Sequence, residues 1–206
     1  MAADSTASHW DDEYAAGETT CNWFEPHPSM SLRMLDAAGV TAAARVVDVG
    51  GGASPLAGVL LDRGFCDITV VDFSAAGMAY AQRSLGARAE QVRWVAADVR
   101  NWAPDIRYHV WHDRAVFHFL TSTQDRQQYL QVLDYATEPG AIAVFGCFAP
   151  DGPRHCSGLP VARYSSLDLA DQLGTQWMVI SHAREEHVTP TDVIQPFCWT
   201  ALRKHD

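Results

Sequence analysis

No run of lysine or arginine longer than the pair Arg203-Lys204 occurs in this 206-residue chain, and its formal net charge is −10. Phosphate backbones are bound through clustered cations, so the composition argues against nucleic acid as a partner. No apolar stretch approaches the roughly 20 residues that span a bilayer. The opening M-A-A-D-S-T-A-S-H-W has neither a basic nor an apolar leader region, so a cytoplasmic protein without membrane contact is expected. Five cysteines, at 21, 66, 147, 156 and 198, are odd in number and include no C-x-x-C pair. Reduced thiols and no metal site follow from that spacing. His109 and His112 do not change this, because in a strand a spacing of three puts them on opposite faces. With 48% apolar and 19% charged residues and no internal repeat, the chain reads as one globular domain, a monomer or homodimer.

What is present is a glycine turn. The stretch A-R-V-V-D-V-G-G-G-A-S, Ala44 to Ser54, runs from a β-branched strand through Asp48 into Gly50, Gly51 and Gly52. Val46, Val47 and Val49 suit a strand buried on both faces, and Ser54-Pro55 reads as a helix cap followed by proline at the first helical position. Such a loop is shared by many nucleotide folds. Here Pro55 stands where a third dinucleotide glycine belongs, and Asp48 ends the strand. That carboxylate repels a pyrophosphate and attracts an ammonium or sulfonium, which favours S-adenosylmethionine over a dinucleotide.

Residues 1 to about 8 are small and polar and read as disordered. Trp10 and Tyr14, four apart, and Trp23-Phe24, after a Gly-Glu-Thr-Thr turn, make an aromatic lead segment. Ser29 to Ala38 reads as a helix with Met30, Met34 and Ala37 on one face and Gly39 as its stop. A lid and lead helix at 1–40 then precede a sheet domain at 41–206. In the latter, strands at 45–49, 67–71, 92–95, 108–112 and 140–148 alternate with helices at 55–63, 74–85 and 122–136, the last opening on the capping box S-T-Q-D. Such βα repetition gives a parallel sheet with helices on both faces. A helix at 166–173 and strands at 176–184 and 193–203, joined by Thr-Pro-Thr-Asp, end the chain as a hairpin. Its last strand is expected to be antiparallel.

V-V-D-V-G-G-G-A-S, V-V-D-F at Val70 to Phe73, A-A-D-V at Ala96 to Val99 and W-H-D-R-A-V-F-H-F-L at Trp111 to Leu120 occur in the order and spacing of four motifs. On these the chain resembles the class I S-adenosylmethionine-dependent methyltransferases, from Trp10 to the terminal hairpin. The resemblance implies a Rossmann-like α/β fold with a seven-stranded, mostly parallel sheet, and S-adenosyl-L-methionine as cofactor with S-adenosyl-L-homocysteine as product. It places Gly50 to Gly52 and Ser54 near the methionine part, Asp48 near its ammonium, Asp72 on the ribose hydroxyls, Phe73 against the adenine, and Asp98 with the Val99 backbone at the adenine edge. Ala53 or Ser54 stands where that family's first motif commonly carries a third glycine.

Substrate residues are sought after the fourth and fifth strands and in the lid. His112, Asp113 and Arg114 end the fourth strand, and His118 lies between Phe117 and Phe119. A histidine of pKa about 6.5 suits removal of a proton from a thiol of pKa about 8.5, and His118 is the candidate base. Arg114 either pairs with Asp113 or holds the cofactor carboxylate. The loop Phe148 to Ser165 brings Cys156, Arg163 and Tyr164 as substrate candidates. The lead segment is similar to the lid of small bacterial members related to thiopurine methyltransferases, so Trp10, Tyr14, Trp23 and Phe24 would close over the cofactor. A small-molecule acceptor, a thiol or sulfide sulfur, is the first reading. The alternatives are a protein lysine methyltransferase, from the place of H-D-R-A-V-F-H-F-L, and a binding protein that keeps the cofactor without catalysis.

Overall fold

The computed structural model describes residues 3–15 and 22–205; the Gly-Glu-Thr-Thr turn and Cys21 fall outside them. In chain order the elements are α1 (Ala3–Ala15), α2 (Ser29–Ala37), β1 (Val46–Val49), α3 (Leu56–Asp62), β2 (Ile68–Asp72), α4 (Ala75–Leu85), β3 (Val92–Ala96), β4 (Tyr108–Arg114), α5 (Thr123–Ala136) and β5 (Thr137–Phe148). A small hairpin, β6 (His155–Cys156) and β7 (Leu159–Pro160), precedes α6 (Ser166–Leu173), β8 (Trp177–Val188) and β9 (Ile194–Lys204).

Seven strands form one sheet in the order β3-β2-β1-β4-β5-β9-β8. Pairing is parallel from β3 through β5, while β9 runs antiparallel to both β5 and β8. The chain moves outward from β1 to β3 and returns to β4 beside β1, so the carboxyl ends of β1 and β4 flank the crevice where such sheets bind ligands. Strand alternation builds two cores. Val46, Ile68, Val70, Val110, Val144 and Trp199 pack against α2 and α3, whereas Val47, Val49, Val71, Trp111, Phe145 and Leu202 face α5 and α6. Each fully buried valine or leucine contributes roughly 1.5–3 kcal/mol.

Several boundaries differ from the sequence reading for local reasons. The first helix begins at Ala3, so residues 3–8 are helical. In α2 the inward residues are Ser31, Met34 and Leu35, with Ala37 exposed and Ala38 buried behind it. At α5 the Ser122 hydroxyl accepts the Asp125 amide at 3.0 Å, but the Asp125 carboxylate takes that hydroxyl's proton rather than a backbone amide. The reciprocal capping box closes instead at α6, between Ser165 and Asp168.

Candidate active site

Asp48 on β1 and His112 on β4 are register partners. Both are buried, and His112 Nδ1 lies 2.7 Å from Asp48 Oδ1. A carboxylate only accepts, so Nδ1 donates to it. Neither His112 Nε2 nor Asp48 Oδ2 has a hydrogen-bond partner among the described residues. Both atoms are buried at the crevice with hydrogen-bond capacity unused.

The glycine turn follows directly. Gly50 has φ +66°, and a Cβ there would come within 2.0 Å of Val116 Cγ2. A Cβ on Gly52, at φ +24°, would meet the Tyr14 hydroxyl at 2.2 Å. Only glycine permits both the left-handed backbone and this close approach. Asp72 at the end of β2 accepts the Gly52 amide at 2.9 Å through Oδ2 and the Ser74 amide at 2.8 Å through Oδ1. Burial raises its pKa to about 6, against the lowering effect of those two amides. The N-cap of α3 is Pro55 rather than Ser54, whose hydroxyl accepts the Leu56 amide at 3.2 Å from one residue further out.

One cavity joins nine of the twenty expected residues: Tyr14, Trp23, Phe24, Asp48, Gly50, Gly51, Ser54, His112 and Arg114 all line it, whereas Gly52 and Asp72 do not. Its water-accessible volume is about 50 Å³, room for a few waters only. The reason is α1. Asp11 accepts the Ser74 hydroxyl at 2.6 Å, and the Tyr14 ring lies over Gly52 and Gly77. Tyr14 and Trp23 meet edge to face at 6.0 Å. Trp10 stands one layer out, 5.2 Å from Trp23 and 5.1 Å from Phe119.

Other expected residues fall elsewhere, and strand alternation explains the first of them. His112 and Arg114 project to the cavity, so Asp113 projects to the opposite face, wholly buried. There it accepts the Val116 amide at 3.0 Å, the Phe117 amide and the Tyr129 hydroxyl, and burial raises its pKa to about 6. Asp113 therefore holds the turn after β4, and it does not pair with Arg114. His118 is wholly buried between Phe119 and Phe148, with ring centroids 4.6 and 4.8 Å away. Burial, then the charge of Arg114, pushes its pKa down to about 3. A neutral imidazole sealed in an aromatic cluster has no route to an acceptor's proton, so the packing role replaces the base role in this geometry.

Asp98 is engaged by the Arg100 guanidinium, at 2.6 Å, and accepts the Arg100 amide at 2.9 Å. Val99 is buried in the second core, and Phe73 is half-buried beside Asp72. None of the three lines the cavity. Cys156, Arg163 and Tyr164 are also outside it. Burial raises the Cys156 thiol to about 11, so it stays protonated, and Tyr164 packs on Phe117 at 5.5 Å. Arg163 faces a separate open cleft with Arg154 and His155.

The sequence reading missed Glu25, which lines the cavity and whose Oε2 lies 3.2 Å from Arg114 Nε. It also missed Glu185 and His187 behind Glu25. The signal was an acid after the aromatic pair, W-F-E, and the alternation of Glu185 and His187 on one strand face.

Residues 46–140 match a sequence family described as a methyltransferase domain. No curated protein matches the chain by sequence. Among solved structures, one from work on the conversion of a disulfide bond into a thioacetal group during echinomycin biosynthesis superposes with a TM-score of 0.78 at 19% identity, covering 97% of this chain and 93% of that one. The 1,6-didemethyltoxoflavin-N1-methyltransferase of Burkholderia thailandensis, bound to S-adenosylhomocysteine, gives 0.75 at 19% identity over 100% and 92%. The N-methyltransferase NodS of Bradyrhizobium japonicum WM9, also with S-adenosylhomocysteine, gives 0.66 at 14% identity over 88% and 90%. Residues 46–140 are by this match a methyltransferase domain, and the seven-stranded sheet gives the chain the fold of these S-adenosylhomocysteine-bound methyltransferases.

Proposed function

We propose that this methyltransferase acts on a small nucleophile at the tips of β1 and β4, with a thiol or sulfide sulfur as the acceptor. The observation that carries the reading is the buried Asp48–His112 pair lining the cavity with His112 Nε2 unpartnered. When bound, S-adenosylmethionine supplies an electrophilic methyl group on a sulfonium. The residues present fit it. Asp48 Oδ2, buried and without a partner among the described residues, suits an ammonium, and the Tyr14 ring covers the glycine turn at Gly52. Each Asp72 oxygen holds one backbone amide and keeps a further lone pair for a ribose hydroxyl. Phe73 and the Val99 backbone, next along the β2 and β3 edges, suit the adenine.

His112, rather than His118, is the base in this reading. Asp48 fixes its tautomer and orientation, so Nε2 receives the acceptor's proton, an arrangement typically worth 10²–10⁴ in rate. Tyr14, Trp23 and Phe24 exclude water, which aligns and desolvates the nucleophile. Arg114 is the cation lining the cavity and favours an acceptor that ionises to a thiolate. Incubation with methyl-labelled S-adenosylmethionine and a panel of thiols, sulfide, phenols, amines and basic proteins tests the proposal. Label on thiols is expected. Label on protein lysine alone refutes the small acceptor, and cofactor binding without turnover on any class refutes catalysis.

A further inference from the structure

A second cleft, apart from the Asp48–His112 cavity, opens in the loop between β5 and α6. Its volume is about 480 Å³, against about 50 Å³ for the cavity, and falls in the range of small-molecule sites. Pro150, Pro160, Val161 and Ala162 give it apolar walls. The polar groups are Arg154, His155 and Arg163, and no acid lines the cleft among the described residues.

That arrangement runs against the composition, which has 25 acids to 15 lysines and arginines. Arg100, Arg114 and Arg184 are each held by at least one carboxylate. The side chains of Arg154 and His155 have no partner among the described residues. Arg163 makes one long contact, from Nη1 to the Gly152 carbonyl oxygen at 3.4 Å. Asp151, next to Pro150, gives both carboxylate oxygens to Arg184 at 2.9 Å. Its pKa is lowered first by that bond and last by the charge of Arg163. Two guanidinium groups with most of their donors unused, and a ring N–H beside them, therefore face open solvent across apolar walls. A cleft lined by one sign of charge focuses its field on a counter-ion.

The backbone that carries these groups is fixed. The Val161 amide donates to the Arg154 carbonyl at 3.0 Å across the β6–β7 hairpin, the Ala162 amide to the His118 carbonyl at 2.7 Å, and the Tyr164 amide to the Phe148 carbonyl at 2.9 Å. Arg163 thus stands between two residues tied to the segments that end β4 and β5, and buried Cys156 seats the hairpin in the first core. A backbone already in place reduces the ordering that binding requires. Because β5 is parallel to β4, and β4 to β1, its end at Phe148 lies at the carboxyl edge of the sheet, where such sheets take their ligands.

We propose that Arg154, His155 and Arg163 form a subsite for an oxyanion, a carboxylate or phosphate. The planar fork of a guanidinium matches two oxygens of either group. Two carriers share that chemistry, an acidic group on the methyl acceptor and a separate anion. The subsite stands without the methyltransferase reading, and only its assignment to the acceptor rests on it.

Sodium phosphate titrated by calorimetry into the full chain at low ionic strength tests the subsite, and 3-mercaptopropionate and 2-mercaptoethanol titrated into the chain saturated with S-adenosylhomocysteine separate the carriers. Phosphate is expected to bind. Arg154→Gln and, independently, Arg163→Gln should each weaken it at least about tenfold, the loss of one charge-assisted contact. Arg203→Gln, at an exposed arginine of β9, should leave it unchanged, and thermal melts of all three variants check folding. Tighter binding of 3-mercaptopropionate that both cleft variants abolish supports the subsite and assigns the oxyanion to the acceptor. Equal binding of the two thiols, with phosphate still lost in the cleft variants, supports it and assigns a separate anion. Absence of both phosphate binding and a preference between the thiols, an affinity unmoved by both cleft variants, or an equal loss in Arg203→Gln overturns the subsite. Failure of the unsubstituted protein to bind S-adenosylhomocysteine defeats the methyltransferase reading, and the phosphate titration then judges the cleft by itself.

Discussion

Replacing His118 with leucine separates a packing histidine from a catalytic one through the pH dependence of stability. The ring is wholly buried against Phe119 and Phe148, its Nδ1 accepts the Phe148 amide at a long 3.4 Å, and its pKa is pushed from 6.5 down to about 3, first by burial and then by Arg114. Because the folded value lies below the unfolded one, the unfolded chain takes up the proton first on acidification. The histidine's contribution is therefore whole above pH 6.5 and is lost as pH falls toward 3. At about 1.4 kcal/mol per unit the full loss is on the order of 5 kcal/mol, of which about 2 kcal/mol falls between pH 7 and pH 5. Leucine removes the titration, at a fixed cost of about 1 kcal/mol for the weak amide bond. Asp72 and Asp113, both raised to about 6 by burial, act oppositely: their contribution is whole below the unfolded value of 3.8 and is lost as pH rises through 6. They are common to both proteins and cancel in the difference. Thermal melts of wild type and His118→Leu at pH 7, 6 and 5 should therefore show the wild type losing about 4–8 °C relative to the variant by pH 5. Parallel curves refute the buried neutral histidine. A drop in kcat beyond a hundredfold in a variant that melts normally restores His118 as the base.

The other expectations concern the cofactor and the acceptor. His112→Ala should lower kcat by 10²–10⁴ while S-adenosylhomocysteine affinity stays within about threefold; equal losses in both would count against a base. Asp72→Ala should weaken S-adenosylhomocysteine at least tenfold by calorimetry, and in the wild type that affinity should fall as pH drops through about 6, where Asp72 takes up its proton; an affinity flat with pH speaks against the ribose contact. Tyr14→Ala, which uncovers Gly52 and Gly77, should speed cofactor association several-fold in stopped-flow fluorescence. An unchanged rate means the ring does not stand in the path.

Most of the architecture was legible because it rests on local signals. The β-branched runs at Val46–Val49 and Ile68–Asp72, the glycines that follow the first, the Ser74 cap that follows the second and the short hairpin near the terminus fix strand, turn and order. The placement of Asp48, Gly50 to Gly52 and Asp72 was legible for the same reason: they sit at strand ends, where the chain itself sets their position. What escaped was depth and facing. Asp113 and His118 are polar residues close to the crevice in sequence, but one projects through the sheet and the other is folded into an aromatic cluster. Glu25 and His187 each left a local signal, but their meeting depends on the lead segment, β8 and β9 packing together over a separation of more than a hundred residues, and no periodicity reports that.

That last contrast bears on how the lead segment relates to the sheet. Divided at residue 40, the chain would separate a lid from a catalytic domain, yet the segment does more than cover. Trp23 accepts the Arg114 guanidinium on its carbonyl at 2.7 Å, Asn22 places its carbonyl 2.9 Å from the His187 ring, and Glu25 pairs with Arg114 in the cavity wall. Without those contacts Arg114, already on the cavity face of β4, has no carboxylate to hold, and Glu185 and His187 lack their third member. Cofactor chemistry belongs to the sheet, which the early motifs encode. Residues 22–25 dock against β4 and β8, so Trp23, Phe24 and Glu25 supply a part of the cavity lining that the sheet alone does not.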